Sequence, residues 1–155
     1  PDFQGKTELV QQIINARPAV LAHNLETVRS LTEKVRDSRA GYDQSLDVLR
    51  YLKQNCPDGY TKSSLMLGVG ESRTETLQAM KDLRNVGVDF LTIGQYLQPS
   101  KKHLKVEKFV PPEEFDELAL HGDKMGFEYV ASGPLVRSSY KAAEFYIERK
   151  IRGNA

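Results

Sequence analysis

Four short apolar runs, each breaking off into a cluster of Gly, Asn, His or Ser, constrain this chain more than any other feature. They fall at residues 19–22, 64–67, 90–93 and 127–131. Between them lie longer stretches with apolar residues at helical spacing, and such alternation is the mark of repeated strand–helix units around a parallel sheet. The spacing predicts helices over 6–16, 27–35, 42–55, 74–86 and 113–125, with Leu46, Leu49 and Leu52 on one face. Asp43 sits early in its helix, Thr74 and Glu75 open the next, and Gly87 and Gly126 stand where a C-terminal cap wants a left-handed residue. A last helix is predicted over 141–152. There is no linker, internal repeat or low-complexity stretch, so the chain reads as one unit.

Composition narrows the function classes. Twenty-two basic against 21 acidic side chains leave a net charge of +1. Such a balance gives no global field to gather nucleic acid or a lipid surface. The apolar runs are far short of the roughly 20 residues that cross a bilayer. Pro1-Asp2-Phe3-Gln4-Gly5 lacks the basic start and apolar run of a signal peptide. Cys56 is the single cysteine. It cannot form an internal disulfide or by itself hold zinc or an iron–sulfur cluster, and in Asn55-Cys56-Pro57-Asp58-Gly59 it reads as an idle thiol in a turn after a helix.

The opening residues read as the exit of a strand whose body is missing. A complete eight-unit barrel takes about 250 residues, and four strands alone would leave an open parallel edge. The expectation is therefore an α/β fold that forms the C-terminal half of a longer (β/α) barrel.

Ligands of parallel α/β folds gather at the carboxyl ends of strands, and the unusual polar clusters fall there. After the first strand come His23, Asn24 and Glu26. An amide beside a carboxylate suits the vicinal hydroxyls of a ribose; alternatively, Asn24 caps a helix and Glu26 favours its dipole. Arg36 and Arg39 bracket a helix end, where they hold a carboxylate or merely complement the dipole. After the second strand, Gly68, Gly70 and Glu71 form a turn open to close ligand approach or simply a tight strand–helix connection. Arg73 stands where a dinucleotide fingerprint needs its third glycine. The third loop carries Gln95, Tyr96, Gln98 and the basic trio Lys101, Lys102 and His103, either functional or a solvated rim. His103 and His121 lack partners at metal-ligand spacing and read as surface residues. Lys62 and Ser63 enter the second strand at the far end from these loops and read as structural.

The last strand runs into Ser132-Gly133-Pro134-Leu135-Val136-Arg137-Ser138-Ser139-Tyr140. Two hydroxyls beside an arginine and a tyrosine suit a ligand loop or, alternatively, the cap of the last helix. Together with His23-Asn24-Leu25-Glu26-Thr27, Met66-Leu67-Gly68-Val69-Gly70-Glu71 and Gly94-Gln95-Tyr96-Leu97-Gln98-Pro99, this segment resembles lipoyl synthase, a radical S-adenosylmethionine family. The resemblance covers residues 1–140 and implies a partial (β/α) TIM-type barrel. On that footing residues 1–155 are the C-terminal part of one barrel domain, with a cluster-ligand segment near 132–142.

The resemblance further implies two 4Fe–4S clusters, one held by a CxxxCxxC motif that cleaves S-adenosylmethionine. The other is held by three cysteines of a CxxxxCxxxxxC motif and a serine of the RSSY motif, and gives its sulfur to carbons 6 and 8 of a protein-bound octanoyl chain. Carried over, Ser139 is the first candidate for that metal ligand and Ser138 the alternative. Arg137 would offset nearby negative charge, and Tyr140 would hold the loop. Asn24 and Glu26 resemble ribose contacts and Arg36 a carboxylate partner. Gly68, Gly70, Glu71, Gln95 and Tyr96 would line the adenine and methionine portions. An octanoylated lipoyl carrier domain or H protein, and an electron donor such as ferredoxin or flavodoxin, are the implied partners. Cytoplasm, or the mitochondrial matrix of a eukaryote, is the implied location.

Both cysteine motifs are absent from these 155 residues, so the chain alone is expected to be silent. Two other readings stand beside this one. A barrel lyase or isomerase of a phosphorylated metabolite needs a Schiff-base lysine or an acid/base pair at a strand end. A non-catalytic module would dock an acidic carrier through residues 101–103.

Overall fold

The computed structural model describes residues 2–139. Tyr140 and the helix expected over 141–152 lie outside them. Strands β1 (Val20–Ala22), β2 (Tyr60–Leu67), β3 (Phe90–Gln95) and β4 (Tyr129–Gly133) form one parallel sheet in sequence order. Helices α1 (Thr7–Asn15), α2 (Thr32–Val35), α3 (Tyr42–Asn55), α4 (Arg73–Asn85) and α5 (Pro112–Met125) make the connections. This is the expected α/β arrangement, the topology of one side of a (β/α) barrel.

Local chemistry sets the element ends. Ser72 caps α4 in a reciprocal box with Glu75, so the helix starts at Arg73, one residue earlier than the Thr74 start read from the sequence. Pro112 occupies the first turn of α5, where its missing N–H is harmless, and Gly126 ends the helix at φ 85°. The helix predicted over 27–35 does not form as one piece. A 3-10 turn over Arg29–Leu31 precedes the short α2, and the chain up to Glu26 is tied to β2. The second strand begins at Tyr60, earlier than the predicted 64.

Period-two alternation splits the sheet into two faces. Leu65, Leu67, Leu91, Ile93 and Val130 pack against Leu46 and Leu49 of α3, Met80 and Leu83 of α4, and Phe115 and Leu118 of α5. Leu21 meets Val10 and Ile14 of α1 with Val48 and Leu52 of α3 in a second cluster. The opposite, inner face presents Lys62, Ser64 and Met66 of β2 beside Phe90, Thr92 and Gly94 of β3. At the amino end of the strands, buried Asp89 accepts hydrogen bonds from the Thr61 N–H at 2.8 Å and from the Lys53 ammonium at 2.9 Å. That end is given over to stability, leaving the carboxyl end for the site.

Candidate functional site

After β1 the ladder to β2 continues with one extra residue. Ala22 pairs with Lys62, but the next pairing is Glu26 with Leu65. The result is a bulge over 23–25, a device that re-aims side chains beside functional sites. The displaced Leu25 N–H is taken up by the Ser63 hydroxyl at 3.1 Å. Glu26 then donates its N–H to the Ser64 carbonyl at 2.9 Å and accepts from Met66 N–H at 2.7 Å. Pinned on both sides, it adopts φ 69° at the centre of a turn closed by Thr27 N–H on the Leu25 carbonyl, 2.9 Å. A left-handed glutamate is strained, and such strain persists only where the surroundings enforce it. No helix starts here, so Asn24 is no cap. Its amide donates to Glu26 Oε1 at 3.1 Å instead.

Arg36 faces the same space. Its guanidinium donates to the Ser45 hydroxyl of α3 at 2.7 Å, and Ser45 donates to the Gly41 carbonyl at 2.8 Å. With the single serine proton so used, the His23 ring, 3.0 Å from that hydroxyl, is assigned as the Nε2–H donor. Burial, then the neighbouring Arg36 charge, lower the His23 pKa to about 4. Burial likewise pushes the Arg36 pKa down, while the Glu26 carboxylate opposes that shift.

Asn24, Glu26, Arg36, Ser138 and Ser139 line one cavity of about 460 Å³. A second, of about 140 Å³, shares Glu26 and Ser138 and is lined by Ser64, Thr92, Gln95, Tyr96 and Arg137 among others. Its floor holds two buried hydroxyls, Ser64 Oγ and Thr92 Oγ1, without a hydrogen-bond partner among the described residues. Eight of the sequence-predicted residues thus come together: Asn24, Glu26, Arg36, Gln95, Tyr96, Arg137, Ser138 and Ser139.

The Gly68–Glu71 turn is placed differently. The Glu71 carboxylate accepts from Gly68 N–H at 2.6 Å and Val69 N–H at 3.0 Å, and it lines a separate cavity with Arg73, Lys108 and Glu117. A Cβ on Gly68 would lie 2.3 Å from both Gln95 Nε2 and the Lys108 carbonyl, so the glycine serves close packing. Gly70 adopts φ 115°, open only to glycine. Gln95 spends its amide on backbone, donating to the Leu67, Tyr96 and Lys108 carbonyls and accepting from Val110 N–H at 2.9 Å. It therefore staples the long loop, which is also anchored by the Tyr96 hydroxyl on the Leu104 carbonyl, 2.9 Å, and by the Glu107 N–H on the Gly68 carbonyl, 2.8 Å. Arg39 pairs with Asp37 in solvent, His103 with Ser100, and His121 lies 3.5 Å from Arg73.

Two residues were missed. Ser45 sits on the buried stripe of α3 between Tyr42 and Leu49, a polar group at a core position, and that mismatch is its signal. Lys62, read as structural at the far end of its strand, instead points from the inner face with its ammonium on the Ser138 carbonyl. The late strand start at 64 hid it.

No family model matches the chain. It is 55% identical over 153 residues to lipoyl synthase 2, chloroplastic, of Zea mays, which covers 99% of this chain and 42% of that protein. It is 55% identical to lipoyl synthase of Thermus thermophilus, over 98% of this chain and 47% of that protein. With lipoyl synthase, mitochondrial, of Branchiostoma floridae it shares 56% identity over 97% of its own length and 40% of the relative's. The chain therefore belongs to the lipoyl synthase family, of whose members it spans somewhat less than half the length.

Proposed function

We propose that this chain forms the S-adenosylmethionine-binding side of an enzyme that inserts two sulfur atoms at carbons 6 and 8 of a protein-bound octanoyl group. The observation that carries the reading is the convergence of Asn24, Glu26, Arg36, Ser138 and Ser139 on one cavity. Its volume of about 460 Å³ lies within the range of small-ligand pockets. Its donor set also fits the cofactor: a carboxylate for vicinal hydroxyls and a guanidinium for an amino-acid carboxylate, while the adjoining cavity adds the Ser64 and Thr92 hydroxyls. When bound, the cofactor and its iron–sulfur partner supply the one-electron chemistry that an unactivated carbon–hydrogen bond requires.

The chain's own residues bind and orient. Asn24 steadies one oxygen of Glu26, leaving the other to accept from a ribose hydroxyl. Arg36, aimed by Ser45, offers its remaining N–H groups to a carboxylate. A complete cluster does not fit this chain alone. Cys56 is its single thiol, and no group of three His, Cys, Asp or Glu is placed to hold a metal among the described residues. In the reading proposed here Ser139, or alternatively Ser138, adds one oxygen ligand to thiolates supplied from elsewhere, with Arg137 offsetting the charge. The partners are then an octanoylated carrier domain or H protein and a ferredoxin- or flavodoxin-type donor, in the cytoplasm or an organelle matrix.

Calorimetric titration of S-adenosylmethionine tests the reading. Glu26→Gln and Arg36→Ala should each weaken binding about tenfold or more, since each removes a charge-assisted contact. Equal affinity for both variants and the parent would overturn it. Iron and sulfide reconstitution of the 155-residue chain should give no cluster absorbance and no turnover; a broad 4Fe–4S spectrum would contradict the assignment of the thiolates to another segment.

A further inference from the structure

A lysine facing inward on a central strand is expensive to keep, because burial disfavours the ammonium unless it is well paired. Lys62 is 6% exposed, pairs with no carboxylate among the described residues, and gives its ammonium to a backbone carbonyl, that of Ser138. A hydrophobic side chain would serve the sheet better, so the charge has another use.

The Ser138 carbonyl belongs to a strap, residues 134–139, that leaves β4 and folds back over the inner face. A turn starts it, with Val136 N–H on the Gly133 carbonyl at 3.1 Å. Its middle lies directly on β3: a Cβ on Gly94 would come 2.1 Å from the Val136 carbonyl oxygen, so bare backbone is required there. Its far end, Ser138 and Ser139, is exposed and joins the wall of the cavity that holds Asn24, Glu26 and Arg36. Beyond the Gly94 seat, the Lys62 contact ties the strap to the inner face at Ser138.

We propose that Lys62 is a positioning residue, a latch that fixes the 134–139 strap across the inner sheet face and so sets where the Ser138 and Ser139 hydroxyls stand. The latch deepens the reading given above, in which one of those hydroxyls is a cluster ligand. It acts through the main chain, so the identity of residue 138 is immaterial to it. Lysine is suited to the task because its long stem spans from the strand to the strap while its head seeks any oxygen in a dry setting.

Trypsin supplies a direct readout, because Arg137 is an exposed cleavage point inside the strap. In the full chain, Lys62→Met should speed cleavage after Arg137 about tenfold, the shift expected when one charge-assisted hydrogen bond no longer opposes local opening. Lys62→Arg should restore the slow rate, and Ser138→Ala should leave it unchanged. The melting temperature of Lys62→Met should hold or rise, since a weakly compensated buried charge has been removed. Cleavage unchanged in Lys62→Met, or accelerated only in step with a lower melting temperature, overturns the latch. In the complete enzyme, Lys62→Met should lower the iron and absorbance of the sulfur-donating cluster while S-adenosylmethionine affinity stays within twofold. If Ser139→Ala and Ser138→Ala both leave that cluster intact while strap cleavage responds to Lys62, the ligand reading fails and the latch stands.

Discussion

The two faces of the sheet are built on opposite principles. The helix-covered face is apolar and closed, with Leu91 and Ile93 fully buried against α4 and α5. One residue away along the same strands, the inner face carries Lys62, Ser64, Thr92 and Gly94, with two hydroxyls lacking partners among the described residues. Parallel strands covered by helices on both sides are usually apolar throughout. Here alternation lets one strand build the core with its odd-numbered residues and present a polar inner face with its even-numbered ones. The contrast implies that substitutions one position apart should differ sharply in their effects.

The largest effect is expected on the closed face. Leu91→Ala should lower unfolding free energy by about 2–5 kcal/mol in a urea titration, through lost burial and the cavity left behind. A loss below about 1 kcal/mol would erase the contrast between the faces. Acid should expose the weak point where the faces meet. His23 is neutral in the fold, with a pKa near 4 against 6.5 for the free side chain. The unfolded chain therefore takes up the proton first. Stability is full above pH 6.5 and falls towards pH 4, by about 3 kcal/mol for the shift cited. His23→Gln should flatten that stretch of a stability–pH profile; an unaltered slope would assign the acid sensitivity elsewhere.

A smaller change tests the rim shared by both faces. Ser72→Ala removes the reciprocal cap of α4 and should cost about 1 kcal/mol. The smallest effect belongs to the inner face. Thr92→Val replaces an unpartnered buried hydroxyl by a methyl of similar shape and should move stability by less than about 0.5 kcal/mol, or raise it. S-adenosylmethionine affinity is the measurement that gives this position meaning. A stability loss like that of Leu91→Ala would show the inner face to be core.

Much of this was legible in the residues. The strand–helix order, the Tyr42–Asn55 helix and the glycine caps at 87 and 126 follow from spacing and conformational preference alone. So did the expectation that Asn24, Glu26, Arg36 and the 137–139 segment meet at the carboxyl ends of the strands, since polar clusters after short apolar runs mark strand ends. The segment after β1 was not legible as structure. Thr27 to Val35 carries helical spacing, but Glu26 just before it is drawn into the β2 ladder and Val28 is extended, so helical turns begin only at Arg29; the bulge is fixed by Ser63, 38 residues away from Leu25.

Outside the 27–35 segment the sequence by itself determined which segments are strands and which helices, because side-chain period and backbone preference act over a few residues. It also determined the family, through identity spread along nearly the whole chain. Only the tertiary structure decided which polar groups are free to meet a ligand. Glu26 and Glu71 look alike in sequence, each a carboxylate just past a strand. The Glu71 carboxylate is spent on its own loop, whereas the bulge turns Glu26 into the cavity beside Asn24 and Arg36. Local rules cannot distinguish them, because the partners that occupy or release a polar group are brought together by long-range packing.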